Sequence, residues 1–423
     1  MEENKTIPIN TMALKPEEYE KGMFIEIAGT IHKKSLVPTS DGQTLETWIP
    51  WSMTSITRRY GRDKTRQIVE EMPLFDGIRI VPEHINYEPI IGRYLNGYQP
   101  LAYKPMAGAN WNHIGALLRH IFGDQYELGL DYIQLLYVQP KQKLPVILLV
   151  SQETGTGKST FCRLLKEIFG ANATELTNAM MRSNFNSLWA GKLLVYIEET
   201  LLDRREDGEV IKNLVTADRM PMEAKGKDAV EAELFAKFVM CSNDEERPIL
   251  LTSEDSRFWV RKVPPIAEKK PGENFFDEMK KEIPYFLYFL LHRQLSTANE
   301  DRLWFRRDLI VTEAWKKIVN HSRSQLEQQV VELLIHIMKE KGLKEVDYTV
   351  KDIVRLLRYE DYRANRAAVK KLLTDRWHLT CKKQRYDLWV PTTTLSGDED
   401  YVSRSTTGWA YNITLVYLDS LTD

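Results

Sequence analysis

Cysteine is scarce in this chain: Cys162, Cys241 and Cys381 are the three in 423 residues, far apart in sequence. That excludes a disulfide framework and points to a reducing compartment. Histidine and cysteine also fail to group, with no CxxC pair and no HxH or HExxH spacing, which argues against a zinc site. Long apolar runs are missing too. The most apolar stretch, YFLYFLL at 285–291, is far too short to span a bilayer and reads as the buried face of a helix. The amino terminus MEENKTIPIN is polar and has no signal-peptide core. A surplus of one charge is also lacking: the formal net charge is -2, so any nucleic-acid binding must come from local basic patches. There is no internal repeat or low-complexity tract. These absences leave a cytoplasmic globular protein with room for two or three domains.

The first hundred residues are mixed. GMFIEIAGTIHKK and ETWIPW read as short strands and SITRRYGRDKTRQIVEEM as a helix. Two helices follow, NWNHIGALLRHIFG and DQYELGLDYIQLLYVQ, with apolar residues at helical spacing. After Pro145 the continuous apolar run Val146 to Val150 has the pattern of a strand buried on both faces. From there to about residue 263, apolar strands (KLLVYI, FAKFVMCSN) alternate with helical stretches (STFCRLLKEIFG, GEVIKNLV), which predicts a parallel α/β sheet.

SQETGTGKST, residues 151 to 160, directly follows the buried strand. It matches the phosphate-loop pattern G-x-x-x-x-G-K-[ST] except at its first position, where Gln152 replaces glycine. In such a loop backbone N–H groups at a helix start cradle phosphate, with Gly155, Thr156, Gly157 and Thr160 supplying turn and backbone. Lys158 reaches the β and γ oxygens of ATP, and the Ser159 hydroxyl ligates Mg²⁺. The missing glycine eases only the exit from the strand.

A phosphate loop requires an acidic partner. Glu198 and Glu199 end the apolar strand LLVYIEET forty residues beyond Lys158, Glu198 for the metal and Glu199 for activation of water. The strand FVMCSND ends with Asn243, an amide able to contact the γ-phosphate. Fourteen residues on, SEDSRFWV offers Arg257 as an arginine finger, with Arg247 and Arg261 as lesser candidates. AKGKD places Lys225 and Lys227 at a hairpin tip suited to a phosphate backbone, although lysines also suit any solvated turn.

The last hundred residues read as helix, helix, helix, hairpin: QLEQQVVELLIHIMKEKG, TVKDIVRLL with Thr349 and Asp352 at capping-box spacing, RANRAAVKKLLTDRW, then HLTCKKQRYDLWV as two strands around a tight turn. That is the order of a winged helix. Basic residues outnumber acidic ones roughly two to one from Val350 to Val390. Arg363, Arg366, Lys370 and Lys371, with Lys382, Lys383 and Arg385 on the wing, are the candidate DNA contacts. A protein-docking role is the alternative. TTTLSGDEDYVSRSTTG reads as a polar, loosely packed tail.

Taken in order, LPVILLVSQETGTGKSTF, LWAGKLLVYIEE, AKGKD, CSND and DSRFWV resemble superfamily 3 helicases of the AAA+ class. The closer likeness is to the helicase module of phage and mobile-element primase-helicases, including a deep-sea vent phage primase-polymerase and the poxvirus primase-helicase. The helical lead-in WNHIGALLRHIFG with YIQLLYVQP resembles theirs. The resemblance covers roughly residues 108 to 265. It implies a hexameric ring in a bacterial host cell that burns ATP with Mg²⁺ and moves 3′ to 5′ on one DNA strand gripped by Lys225 and Lys227. No primase is recognisable, so priming would come from a separate primase or polymerase; no membrane is involved. The expected organisation is a small α+β region at 1–107, the helical lead-in at 108–144, a P-loop ATPase core at 145–265, a helical connector at 266–322, a winged helix at 323–392 and the tail at 393–423. A replication initiator that uses ATP only to assemble on DNA, or a protein-remodelling AAA+ ATPase, are the other readings. A remodeller usually carries an aromatic pore residue where AKGKD is cationic.

Overall fold

The computed structural model describes residues 19–38, 44–108, 110–181, 183, 186–198, 205–223, 230–251, 255–266, 274–360, 362–393 and 399–421. The chain divides into two compact units, residues 1–102 with 138–140, and the remainder.

In the amino-terminal unit, strands Phe24–Ile27, Thr30–Pro38, Thr44–Pro50 and Leu74–Phe75 form one sheet. Phe24, Ile56, Ile68 and Met72 make its small core. The segment expected as one helix is two, Met53–Tyr60 and Arg62–Glu71. Gly61 stands between them at φ +79°, a left-handed conformation that no continuing helix admits.

The larger unit begins with helices α1 (Asn112–Phe122) and α2 (Tyr126–Val138). Its central sheet contains β1 (Val146–Val150), β2 (Ala173–Glu175), β3 (Leu194–Ile197), β6 (Lys237–Ser242) and β7 (Phe258–Lys262), in the order β7-β1-β6-β3-β2. Every pairing is parallel. All five residues of β1 are fully buried, as a central strand covered on both faces requires. Helices α3 (Lys158–Phe169) and α4 (Arg205–Thr216) supply crossovers, and β4 (Arg219–Met222) pairs with β5 (Val230–Glu233) as a separate antiparallel ribbon.

The lead-in is locked to the sheet by aromatic and polar contacts. Trp259 of β7 stacks on Phe122 of α1 with centroids 5.1 Å apart, and its indole donates to Gln125 Oε1 at 2.7 Å. Helix α5 (Phe275–His292), which contains the apolar stretch 285–291, returns against α1. The buried Glu282 of α5 accepts from the backbone N–H groups of His113 (3.1 Å) and Ile114 (3.0 Å), satisfying the first turn of α1. No helix among the described residues is long and apolar enough to cross a membrane.

The carboxy-terminal part departs from expectation in two ways. Residues 313–340 form one helix, α6 (Glu313–Glu340), which runs straight through the boundary expected at 322/323. Its middle, HSRSQ, is polar, yet buried Trp315, Ile318 and Val319 on one side of it and Leu326, Val330 and Leu334 on the other anchor both halves. The second departure is the tail. After β8 (Glu345–Tyr348), α7 (Val350–Tyr359, with the Thr349/Asp352 capping box) and α8 (Arg366–Lys371), the segment expected as a tight hairpin is a single strand, β9 (Cys381–Thr393). Its partner is β10 (Glu399–Thr414), drawn from the supposed loose tail, followed by α9 (Leu415–Asp419). β10 pairs with β9 along the whole of β9 and with β8 on its other edge, giving the order β8-β10-β9. Tyr401, Ala410, Tyr411, Ile413 and Leu418 join the core with α6, α7 and α8. The tail is therefore structural.

One buried charge gives this sheet a pH signature. Lys237, at the start of β6, is 1% exposed and donates to the Phe235 carbonyl at 2.9 Å. Burial first, and the charge of Lys143 second, pull its pKa from 10.5 down to about 7. Between pH about 7 and about 10.5 the unfolded chain binds a proton that the folded chain has lost, so this group makes stability rise with pH, by up to about 1.4 kcal/mol per unit. Lys237→Met removes the charge while keeping the stem. Its unfolding midpoint should exceed that of the parent near neutral pH, with a flatter dependence across that window. A slope identical to the parent's in thermal unfolding from pH 7 to 10 would show that Lys237 does not titrate there.

Candidate phosphate-binding site

Residues 151–157 form the loop between β1 and α3, at the carboxy-terminal edge of the parallel sheet. Gly155 (φ +69°) and Gly157 (φ +90°) both adopt left-handed backbone that side-chain-bearing residues rarely adopt. Nothing lies within 4 Å of the position a Cβ would take on Gly155, so glycine is required there by backbone conformation rather than by space. Gly157 caps α3, which turns the following N–H groups toward the loop cavity.

Lys158, the first residue of α3, is 7% exposed. Its ammonium lies within 3.4 Å of the Ser151 carbonyl, the Glu153 carbonyl and the Thr156 hydroxyl. All three contacts are long and to neutral oxygens, and among the described residues no carboxylate pairs with the ammonium. Burial accordingly lowers its pKa from the ordinary lysine value, against the opposing pull of Cys241 and Glu245. A buried cation with neutral ligands, an exposed Ser159 beside it and the amides at the start of α3 suit a polyphosphate with its divalent cation. Ser159 and Glu198 are the residues that could hold that cation.

The irregular first position has its own support. The backbone N–H of Gln152 donates to Glu245 Oε1 at 3.2 Å, while Glu245 Oε2 pairs with Lys262 at 2.8 Å. Glu245 is 5% exposed. Burial alone would raise its pKa, but the Lys262 bond, the Gln152 amide and the charges of Lys262 and Lys317 outweigh it and hold the carboxyl below the ordinary range. A charged carboxylate thus fixes the turn out of β1 where a leading glycine is absent. Sequence reasoning missed Glu245, since nothing in SNDEE distinguishes it from its acidic neighbours. On the other side of the loop the Thr156 carbonyl accepts from His120 Nε2 of α1 at 3.0 Å, a second support that no pattern signals.

The other expected residues divide between the two edges of the sheet. Asn243 is exposed one residue beyond β6, the strand next to β1, where Ser242 is level with Val150. Glu198, half-buried, ends β3 on the far side of β6, roughly 10 Å across from β1 at ordinary strand spacing. Both therefore stand at the loop's edge of the sheet. Glu199, Lys225 and Lys227 lie outside the described residues.

Arg257 is at the opposite edge. It precedes Phe258, which is level with Val146 at the beginning of β1. Along the strand that is roughly 17 Å below the loop, out of reach of its own Lys158. Its Nε lies 3.3 Å from Asp255 Oδ1 and its Nη1 donates to the Lys212 carbonyl at 3.2 Å. Asp255 is buried and also pairs with Lys212 at 3.2 Å, so a compact network from α4 and the strand entry holds the guanidinium at the surface. Of the lesser candidates, Arg261 is tied to Gln125 and Asp124 of the lead-in and Arg247 donates to His321.

Arg363, Arg366, Lys370, Lys371, Lys382, Lys383 and Arg385 are all solvent-exposed on the carboxy-terminal bundle.

Comparison with known proteins covers both sequence and fold. Residues 149–261, which include the loop, Glu198, Asn243 and Arg257, match a family described as a family of unknown function (DUF5906). A DNA primase-polymerase of Nitratiruptor phage NrS-1 is 25% identical over 249 residues, 56% of this chain and 33% of that protein. The chain thus spans a third of the length of that relative. Solved structures of the C-terminal region of the NrS-1 protein share the fold: an apo structure has a TM-score of 0.52 at 17% identity, covering 91% of this chain and 95% of the other. The A form of the same region has a TM-score of 0.53 at 17% identity, covering 90% and 95%. In sequence the chain is similar to a phage DNA primase-polymerase, and in fold to the C-terminal region of that protein.

Proposed function

We propose that this chain is an ATP-dependent DNA helicase of a phage or mobile genetic element, acting in replication as a ring that translocates on one strand, 3′ to 5′. The observation that carries the reading is the division of the motif residues between two edges of one parallel sheet. Lys158, Ser159, Glu198 and Asn243 gather at the carboxy-terminal edge, and Arg257 is held at the other. Such a split makes sense when subunits pack head to tail, each offering its arginine to the nucleotide of the next. ATP with Mg²⁺ would sit at Lys158 and Ser159, with Glu198 on the metal and Glu199 on the attacking water. Lys225 and Lys227, which fall in sequence between β4 and β5, would grip the backbone of a threaded strand. The carboxy-terminal bundle, with its helices, long hairpin and exposed cations, supports a winged helix at duplex or fork DNA. A hexamer and a separate primase or polymerase complete the proposal.

Strand displacement on a forked duplex tests it. The parent protein should displace a strand with ATP and Mg²⁺, and Lys225→Ala/Lys227→Ala should hydrolyse ATP with displacement lost. Hydrolysis without displacement by the parent on any fork would sink the helicase reading and favour an initiator. Displacement that survives the double change would remove the ribbon from the mechanism.

A further inference from the structure

The hairpin of β9 and β10 exposes an aromatic side chain that none of the motifs uses. Trp409 in β10 is 63% exposed, whereas Trp377 of the same bundle is 3% exposed. In the antiparallel register Trp409 is directly opposite Lys383, Thr407 opposite Arg385, and Ser405 opposite Asp387. Directly opposed residues share a face of a sheet, as do residues two apart along a strand. Trp409, Lys383, Arg385, Thr407 and Ser405 therefore form one surface, and all five are exposed. The other face of the same strands turns Tyr386, Leu388, Val390 and Ala410 into the core.

The surroundings of the indole decide what it fits. Its exposed neighbours on the face are hydroxyls and cations, with Asp387 the acid farther along, while Tyr411, two residues on, turns into the core. Arg385 Nε donates to Ser405 Oγ at 2.8 Å, which holds the guanidinium on the surface. Lys383 forms no ion pair among the described residues. A protein partner would be expected to cover a contiguous apolar patch around such a tryptophan. An unpaired nucleotide needs what is present here, one π-face with cations a strand's width away for the flanking phosphates. We propose that this face is a single-strand-binding platform, in which Trp409 stacks one unpaired base while Lys383 and Arg385 neutralise the adjoining phosphates. The proposal rests on the DNA-binding reading above and adds to it a contact outside the lysine ribbon.

The test uses the full chain and a fluorescein-labelled thymidine oligonucleotide, followed by anisotropy at several salt concentrations. Trp409→Ala should weaken binding by about tenfold or more, and Trp409→Phe, which keeps a π-face, should bind within about threefold of the parent. Lys383→Ala/Arg385→Ala should flatten the dependence of affinity on salt. Ultraviolet cross-linking to an iodouridine-substituted oligonucleotide should label the peptide that contains Trp409. If the parent binds and Trp409→Ala binds equally well, the platform is wrong while the DNA reading stands. If the parent binds no oligonucleotide, both fall. If Trp409→Ala leaves affinity unchanged but alters sedimentation of the protein, the face is a contact between copies and the proposal is overturned. Should Trp409→Ala unfold more readily than the parent, the phenylalanine and double-cation proteins decide the question.

Discussion

Lys158→Ala should lower ATP hydrolysis by about 10²- to 10³-fold, measured as phosphate release at saturating Mg²⁺ and nucleotide. The size of the effect follows from where the ammonium sits. It is 7% exposed, and its contacts are two carbonyls and a hydroxyl at 3.4 Å, none of which compensates a charge. Phosphate oxygens would supply that compensation in a setting where water cannot screen it. Because an ammonium in this cavity costs folding free energy, Lys158→Ala should also leave the unfolding midpoint of the ligand-free protein unchanged or higher. The two measurements separate a binding role from a structural one. A protein that loses hydrolysis and stability together would place Lys158 in the core rather than at a ligand. Lys158→Ala hydrolysing ATP at the parental rate would remove the loop from the reaction altogether.

How much of this was legible beforehand depends on the range of the forces concerned. The loop, its flanking strand and helix, and the acid-terminated strand were readable because each is local: a fully buried strand must be continuously apolar, and the loop's left-handed positions require glycine. The parallel sheet followed from the alternation of such segments. Contacts across sequence were not readable. Glu245 supports Gln152 from 93 residues away, and only the alignment of β6 beside β1 brings them together. The tail failed for a related reason. Residues 402–409 of β10 are largely polar and solvent-facing, so they carry almost no hydrophobic period. Their place is set by backbone pairing with β9 and by the few apolar anchors at Tyr401, Ala410, Tyr411 and Ile413. The short break at Gly61 and the uninterrupted α6 show the converse, a helical pattern that one left-handed glycine divides and a polar stretch that anchored ends carry through.

Arg257→Ala should lose hydrolysis by about 10³-fold or more, and mixing it with Lys158→Ala should restore part of the activity that neither protein has alone. The reason lies in the register of β7 on β1. Arg257 is level with the start of β1 and the loop lies beyond its end, so within one chain the guanidinium is separated from Lys158 by the length of the sheet. Asp255 and the Lys212 carbonyl hold it there, which leaves little freedom to swing back. In the proposed ring a complete site would consist of a loop from one subunit and an arginine from its neighbour. In a mixed head-to-tail assembly, about one interface in four joins an intact loop from the Arg257→Ala protein to an intact arginine from the Lys158→Ala protein. A residue acting on its own chain's nucleotide gives no such recovery, because every chain in the mixture is then defective. A mixture that stays inactive, under conditions where sedimentation shows the two proteins assembling together, would therefore return Arg257 to the role of a surface ion pair with Asp255. Recovery would establish that the nucleotide lies between subunits, which is the geometry that lets hydrolysis at one interface move the next subunit along a strand.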